Sequence, residues 1–145
     1  MQRTVPTKIL YTAEATASET GREGHVRSSD GRLDLQLSRP VEFMGKGGPG
    51  TNPEQLLAAG YAACFANAMR RVGLKARRNV RGATVTARVG IGPLDEDSFG
   101  LDIELLVDLP ELRHEEAEEL AAMAHGVCPF SNALTQGLDV RISVK

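Results

Sequence analysis

The sequence lacks the features that define several large classes of protein. Its 17 basic and 19 acidic residues leave a net charge of -2, so we expect no overall electrostatic surface for nucleic acid or an anionic membrane. The longest nearly uncharged apolar run, residues 55–69, is shorter than the roughly 20 residues that a membrane-spanning helix needs. Residues 1–8 contain no apolar signal-peptide core. We therefore expect a cytoplasmic protein with no membrane or nucleic-acid partner.

Cysteine is also scarce. Cys64 and Cys128 are the two cysteines of the chain, which are too few for the disulfide framework of a small secreted domain. In a reducing compartment they are free thiols, metal ligands or redox-active groups. What the protein does depends largely on which of these three descriptions holds.

Length and composition indicate one globular domain over residues 1–145. The chain is 41% apolar and 25% charged, which is typical of a folded protein and not of a disordered one. Apolar and polar residues alternate with a period of two, which predicts antiparallel strands with one buried face. The alternating segments are residues 5–17, 33–37, 85–91, 99–107 and 138–144. A short strand over 24–28 and a hairpin loop over 93–97 complete the predicted β structure.

Two helices interrupt the strands, so the predicted fold class is α+β, with antiparallel sheets packed around a central buried helix. The first helix spans 53–69 and ends in basic residues before Gly73. It is apolar nearly all round, and its alanines and Gly60 imply close packing. The second helix spans about 112–125, with Gly126 as its cap. A further short helix is predicted after Cys128, with Pro129 at its first position.

The two cysteines have different predicted surroundings. Cys64 lies midway along the buried helix, where it is either a small core side chain or a reactive thiol. Cys128 directly precedes Pro129, where amide groups at a helix N-terminus would face its sulfur and favour the thiolate. The alternative is that Cys128 merely caps a turn.

Charged residues near the helix ends have ordinary structural explanations. Glu54 fits a capping box with Thr51, and Arg22 lies in a glycine-flanked turn where most arginines are solvated. Six basic residues lie at and after the end of the first predicted helix. This pattern is typical of a helix C-terminus with a solvated face. A binding surface for an acidic partner is the weaker alternative. These six are Arg70, Arg71, Lys75, Arg77, Arg78 and Arg81.

Neither a metal site nor a phosphate loop is predicted. Four zinc ligands could be drawn from His125, Cys128, Cys64 and either His25 or His114. Among these, His125 and Cys128 are one imperfect local pair, whereas structural zinc sites usually have two such pairs. The glycine-rich run over 45–50 lacks the Gly-Lys-Ser/Thr ending of a phosphate-binding loop, so we expect a plain loop.

Three segments together resemble a known family. Residues 21–26, 51–65 and 127–133 are similar to those of the organic hydroperoxide resistance (Ohr) proteins of the OsmC/Ohr family, and the match runs essentially end to end. One departure is Phe130, where the family usually has tyrosine. The stretch 134–138 also differs from the usual family sequence.

The resemblance implies a thiol peroxidase that reduces organic hydroperoxides to alcohols. Cys64 would be the peroxidatic cysteine and Cys128 the resolving one, while Arg22 and Glu54 would activate Cys64. The family forms intertwined homodimers, holds no bound cofactor and draws electrons from dithiols, notably lipoylated proteins. An OsmC-like peroxidase with weak preference for organic substrates, and a non-enzymatic redox sensor or small-ligand binding protein, remain alternatives.

Apolar side chains are available to bind the organic part of such a substrate. They suit an alkyl or fatty-acid hydroperoxide better than hydrogen peroxide. These side chains are Phe43, Met44, Tyr61, Phe65 and Phe130.

Helix geometry predicts that the active site is shared between subunits. Glu54 and Cys64 are ten residues apart, which is about 15 Å along a straight helix. One arginine therefore cannot contact both within a single chain. An antiparallel helix from a second subunit would bring Glu54 of one chain towards Cys64 of the other.

Overall fold

The computed structural model describes residues 5–145 and has a mixed α+β fold with antiparallel sheets and three α-helices. The described chain divides into two compact units, residues 8–57 and residues 58–145 with residues 5–7. The elements are β1 (Ala15–Ala17), β2 (His25–Ser28), β3 (Asp34–Gln36), α1 (Pro53–Ala76), β4 (Thr84–Pro93), β5 (Phe99–Asp108), α2 (His114–Val127) and α3 (Pro129–Gln136). Short 3₁₀ turns at Gly21–Glu23 and Val41–Phe43 complete the regular structure. Within the described residues, no helix is both long and apolar enough to cross a membrane.

The unit formed by residues 8–57 is built on a three-stranded antiparallel sheet in the order β1-β2-β3. Val26 of β2 lies opposite Ala17 of β1 and Leu35 of β3. Beyond β3, Leu37 is buried and forms a parallel bridge with Thr51. The glycine-rich run between them is a loop, as predicted, and this bridge fixes the start of α1.

The β4–β5 hairpin confirms the strands predicted over 85–91 and 99–107. Val85 lies opposite Val107 and Val89 opposite Ile103, and the apolar face of the hairpin packs against the core. The connecting loop is closed by Asp95, whose Oδ1 accepts hydrogen bonds from the Asp97 and Ser98 amides at 3.0 and 2.9 Å.

Two of the other predicted strands are not formed as expected. Residues 5–17 contain regular structure only at β1, and residues 138–144 contain none. Alternation indicates which face of a strand is apolar, but a strand also needs a neighbouring edge for its hydrogen bonds. In the part of the chain that the structure describes, no strand pairs with 138–144. Its apolar side chains are therefore left exposed, at 88% for Ile142.

Helix α1 begins at a different cap and ends later than predicted. Asn52 Oδ1 accepts the Gln55 amide at 2.8 Å, so Asn52 caps the helix in place of the predicted box of Thr51 and Glu54. The helix continues through Gly73 to Ala76. Its end is a Schellman motif, in which Arg77 is left-handed at φ 56° and the Arg78 amide donates to the Gly73 carbonyl at 2.8 Å.

The burial of α1 is one-sided, so the prediction of a helix buried all round is wrong for the single chain. Its buried side chains recur at helical spacing and pack against β5 and α2. They are Tyr61, Phe65, Ala68, Met69 and Val72. The opposite face, with Ala59, Ala63 and Asn67, is exposed. Alanine-rich sequence is apolar in every direction and therefore does not reveal which face is covered.

The last two helices meet at Cys128. Helix α2 runs to Val127, so Gly126 lies inside it and is not its cap, contrary to the prediction. Cys128 has extended backbone angles and is both the C-cap of α2 and the N-cap of α3. Helix α3 begins at Pro129, as predicted.

Two helical glycines give opposite predictions for stability. A Cβ at Gly73 would lie 2.8 Å from Val80 Cγ1, whereas a Cβ at Gly126 would meet nothing within 4 Å. Alanine is favoured over glycine in a helix by about 1 kcal/mol. We expect Gly126→Ala to raise the free energy of unfolding by up to that amount. Gly73→Ala is expected to lower it, because Val80 must shift.

Urea titration of both variants measures the two changes. Equal stabilisation by both substitutions would contradict the close approach of Val80 to α1.

Candidate active site

The two cysteines are brought together although they are 64 residues apart in the sequence. Cys64 lies in the middle of α1, and Cys128 lies at the junction of α2 and α3. Both are free thiols, and the Cys128 Sγ–H donates to Cys64 Sγ at 3.6 Å. Cys128 is completely buried, whereas Cys64 is partly exposed. Cys64 is therefore the sulfur that an external molecule can reach.

The start of α3 faces Cys64. The backbone N–H of Phe130 donates a hydrogen bond to the Cys64 sulfur, while the Cys128 side chain accepts no capping hydrogen bond. The prediction that first-turn amides face Cys128 is therefore wrong. As the residue between two helices, Cys128 has its sulfur turned into the core, and the helix end is presented to the neighbouring thiol.

The surroundings of Cys64 within this chain favour the neutral thiol. Burial raises the pKa of Cys64 above its ordinary value, and the adjacent Cys128 thiol raises it further. The Phe130 amide acts in the opposite direction and lowers this pKa. No basic side chain is among these influences. Formation of the thiolate at neutral pH therefore requires a positive charge beyond these contacts.

Arg22 and Glu54 form a bidentate ion pair. Arg22 Nη1 donates to Glu54 Oε2 at 2.8 Å, and Nη2 donates to Oε1 at 2.6 Å. Both side chains are largely buried, with exposed fractions of 24% and 14%. The Arg22 guanidinium lowers the pKa of Glu54, and Glu54 raises the pKa of Arg22. Neither a solvated Arg22 nor a capping Glu54, the ordinary explanations from sequence, is correct.

Local backbone structure holds this ion pair in place. Arg22 projects from the 3₁₀ turn that begins at Gly21, whose φ of 52° suits glycine. Glu54 lies in the first turn of α1. The Arg22 guanidinium is 4.9 Å from the centre of the Phe43 ring, with Arg39 at 5.6 Å from the same ring. With its fork held by Glu54 and its plane against Phe43, Arg22 is restricted to one orientation.

The predicted substrate-binding side chains occupy different surroundings. Phe43 is half-buried beneath Arg22, while Met44 is 76% exposed. Tyr61 and Phe65 are buried and line an apolar cavity of about 530 Å³ beside β5. The Phe130 ring lies 5.9 Å from that of Tyr61 and packs over Gly60, where a Cβ would approach it to 3.4 Å.

Comparison with known proteins identifies the family. The family model of OsmC-like proteins matches residues 45–143, well over half of the chain. This chain belongs to the OsmC/Ohr family. It is 46% identical over 140 residues to the organic hydroperoxide resistance protein of Xanthomonas axonopodis pv. citri, covering 96% of this chain and 97% of that protein.

Solved structures agree with this membership of the OsmC/Ohr family. The chain is similar to the crystal structure of an organic hydroperoxide resistance protein from Legionella pneumophila, with a TM-score of 0.84 and 45% identity over 92% of this chain and 96% of that one. It is also similar to the structure of the organic hydroperoxide resistance protein OhrB of Bacillus subtilis. That match has a TM-score of 0.79 and 38% identity over 94% of this chain and 100% of the other.

One polar group in this OsmC/Ohr member was not predicted from the sequence. Ser131 is completely buried, and its Oγ lies 2.6 Å from Tyr61 Oη and 2.9 Å from His125 Nδ1. The one sequence feature that could have pointed to Ser131 is its position three residues after Cys128, on the short helix that follows that cysteine. Its two partners lie on other helices, and no motif in the sequence predicts that they contact Ser131.

The remaining polar candidates have structural explanations or stay untested. In the basic cluster, Arg78 forms ion pairs with Glu116 and, at 3.7 Å, with Glu119, so part of that cluster joins the segment after α1 to α2. Among residues 5–145, no group of three or more His, Cys, Asp or Glu side chains is arranged to hold a metal ion. An acidic partner for the other basic residues stays a prediction.

The Arg22–Glu54 ion pair makes stability depend on pH. Because the pKa of Glu54 is lowered in the folded state, the pair stabilises fully above the ordinary glutamate pKa of about 4.3. Its contribution is lost as the pH falls through the lowered native pKa. At neutral pH we expect Glu54→Gln to lower the free energy of unfolding by about 1 to 3 kcal/mol. That loss should shrink as the solution is acidified.

Urea titrations of wild type and variant across this acidic range measure the difference. Glu104→Gln is the matched control, because its pair with Arg88 is exposed and is worth at most about 1 kcal/mol. A Glu54→Gln loss that stays constant with pH would contradict the assignment of an ionised pair.

Proposed function

We propose that this protein reduces organic hydroperoxides to alcohols, with Cys64 as the peroxidatic cysteine and Cys128 as the resolving cysteine. The observation that carries the proposal is the 3.6 Å approach of two free thiols, one partly exposed and one buried. The names of the relatives support it, since they are organic hydroperoxide resistance proteins.

The proposed reaction has three steps. The Cys64 thiolate attacks one peroxide oxygen, the O–O bond breaks, and the leaving alkoxide takes a proton to become the alcohol. Cys64 is thereby oxidised to a sulfenic acid. Cys128 then attacks the Cys64 sulfur, the S–O bond breaks, and the hydroxyl leaves as water with the proton of the thiol. An external dithiol finally reduces the Cys64–Cys128 disulfide by thiol–disulfide exchange.

Arg22 supplies the positive charge that this mechanism needs. Burial raises the pKa of Cys64, and no basic side chain offsets it in the single chain. A guanidinium beside the sulfur would favour the thiolate and stabilise charge developing on the peroxide oxygens. Glu54 and Phe43 already hold Arg22 in one orientation, so its charge is preorganised before substrate arrives.

We place the complete site between two subunits of an intertwined homodimer. Glu54 and Cys64 are separated by ten residues of α1, or about 15 Å along the axis. The Arg22 that activates Cys64 would therefore come from the second subunit. The exposed face of α1 with Ala59 and Ala63, and the unpaired apolar segment 138–144, are surfaces that such a dimer would cover.

The substrate would be an alkyl or fatty-acid hydroperoxide. Tyr61 and Phe65 lie beside Cys64 on α1 and in the core, and the Phe130 ring packs against Tyr61. Phe43 and Met44 add apolar surface at the Arg22 end of the proposed site. Such walls gain energy by covering an organic chain and gain nothing from hydrogen peroxide.

The reductant would be a dithiol, for which a lipoyl group is our proposal. A dithiol attacks one sulfur of the Cys64–Cys128 disulfide and then closes its own ring, so reduction needs no cofactor bound to this protein. A reducing compartment would return the two thiols to the reduced state between turnovers, so we propose a cytoplasmic location.

Steady-state turnover tests this function. We expect purified protein to consume many equivalents of an organic hydroperoxide with dihydrolipoamide in excess, and to consume hydrogen peroxide more slowly. Cys64→Ser should abolish this activity, since the nucleophile is lost. Cys128→Ser should consume one equivalent and then stall with Cys64 as a sulfenic or more oxidised acid, which mass spectrometry detects.

The same assay distinguishes the alternative of a redox sensor or small-ligand binding protein. A sensor would take up one oxidising equivalent and stop, even with excess dithiol. Comparable turnover by Cys64→Ser would exclude Cys64 as the peroxidatic residue. Equal rates with organic and hydrogen peroxide would instead favour an OsmC-like enzyme of weak preference.

Mixing two inactive variants tests the shared site. Arg22→Ala and Cys64→Ser homodimers each lack one half of every site. In a refolded equimolar mixture, half of the dimers combine both chains, and each of these holds one intact site of two. We therefore expect about one quarter of wild-type activity.

The control pairs Cys64→Ser with a chain that carries both substitutions, since no dimer of that mixture has an intact site. Activity in the test mixture no higher than in this control would mean that Arg22 and Cys64 act within one chain.

A further inference from the structure

A chain of hydrogen bonds, buried at Tyr61 and Ser131 and exposed at His125, connects the three helices that surround the thiols. Ser131 of α3 is 0% exposed, and its Oγ contacts Tyr61 Oη of α1 at 2.6 Å and His125 Nδ1 of α2 at 2.9 Å. Tyr61 precedes Cys64 by three residues, and His125 precedes Cys128 by three. We call these three side chains the Tyr61–Ser131–His125 network.

Both buried hydroxyls of the network have hydrogen-bond partners within it. Tyr61 is buried, and among the described residues its hydroxyl bonds to Ser131. A buried hydroxyl must donate its proton to an acceptor. When Tyr61 donates to Ser131, the Ser131 hydroxyl is left to donate to Nδ1 of His125. Each group is oriented by the next, so the three helices are fixed in register.

Ser131 is also adjacent to the groups that contact the peroxidatic sulfur. The residue before it, Phe130, donates its amide to Cys64, and Cys128 begins the same turn of α3. Displacement of Ser131 would move both the amide and the Cys128 sulfur relative to Cys64. The network therefore acts on the distance between the two sulfurs.

We propose that Tyr61, Ser131 and His125 are positioning residues for disulfide formation between Cys64 and Cys128. The inference rests on the proposed function. In this step the S–S bond forms, the S–O bond of the sulfenic acid breaks, and water leaves with the Cys128 proton. Attack on the peroxide involves one sulfur and an incoming molecule, so it depends less on the distance between the sulfurs.

Single-turnover kinetics separate the two steps. One equivalent of cumene hydroperoxide is mixed with reduced protein; peroxide loss reports the first step, and loss of free thiol after acid quench reports the second. We expect Ser131→Ala to slow disulfide formation about tenfold, because small displacements of reacting groups carry penalties of this order. Peroxide loss should slow far less, and more sulfenic acid should be trapped by dimedone.

Further variants separate positioning from general loss of stability. Tyr61→Phe keeps the ring and removes one hydroxyl, and the double variant with Ser131→Ala should be no slower than Ser131→Ala alone, because the two hydroxyls act through each other. His125→Asn retains a polar group near Nδ1 and should restore most of the rate lost in His125→Ala. Thr135→Val is the matched control, since within residues 5–145 that hydroxyl bonds the Ser131 backbone carbonyl and no side chain of the network.

A redox titration gives a readout that does not depend on peroxidase activity. The equilibrium between the Cys64–Cys128 disulfide and glutathione measures how favourably the sulfurs are held together. We expect Ser131→Ala to shift this equilibrium about tenfold towards the dithiol. Thr135→Val should leave it at the wild-type value.

Each outcome either supports or overturns the positioning role. Wild-type disulfide kinetics and equilibria in the Ser131, Tyr61 and His125 variants would overturn it while leaving the peroxidase intact. Equal slowing of both steps, or an equal effect of Thr135→Val, would mean that the network only stabilises the fold. If the wild type consumed no organic hydroperoxide, the proposed function would fail, and the glutathione equilibrium would still decide whether the network positions the thiols.

Discussion

The close approach of Cys64 and Cys128 is the constraint on which the arrangement of the second unit depends. It requires the buried face of α1 to meet the α2–α3 junction, and Cys128 belongs to the same core cluster as Phe65, Met69 and Leu120. The Schellman end of α1 returns the chain towards β4, and the β4–β5 hairpin covers the same core. The thiol pair is therefore part of the apolar core, so a substitution in the core is expected to change the distance between the two sulfurs as well.

The Arg22–Glu54 ion pair and the Cys64–Cys128 thiol pair lie in different units of the chain. The unit containing Cys64 buries its thiol and raises its pKa, while the bidentate Arg22–Glu54 pair is preorganised in the other unit. A permanently activated thiol would react with many electrophiles, including those that the cell does not need to remove. Under the proposed function, a guanidinium supplied by a second subunit would make thiolate formation a property of the assembled dimer.

The features that were predicted correctly from the sequence are those that local interactions determine. The β4 and β5 strands and the Pro129 helix start follow from alternation and from proline geometry, and both are confirmed. Gly73 suggested a helix end, but the chain continues because the left-handed Arg77 and the packing of Val80 decide where it stops. The strand expected over 138–144 fails for a related reason, since pairing needs an edge that alternation does not specify.

Other parts of the site depend on contacts between segments that are distant in the sequence, so residue spacing could not predict them. The meeting of Arg22 with Glu54, and of Ser131 with Tyr61 and His125, depends on how helices pack, which residue spacing does not encode. The roles of the two cysteines and of Arg22 and Glu54 were predicted because their motifs resemble those of the OsmC/Ohr family.

The complete burial of Cys128 has a consequence for the chemical selectivity of the protein. A sulfur without accessible surface cannot be alkylated, glutathionylated or captured by a passing electrophile while the helices remain packed. Among the residues that the structure describes, Cys64 is the thiol that contacts it. Under the proposed function, Cys128 would therefore be protected from small-molecule thiols and electrophiles and would react with an oxidised Cys64.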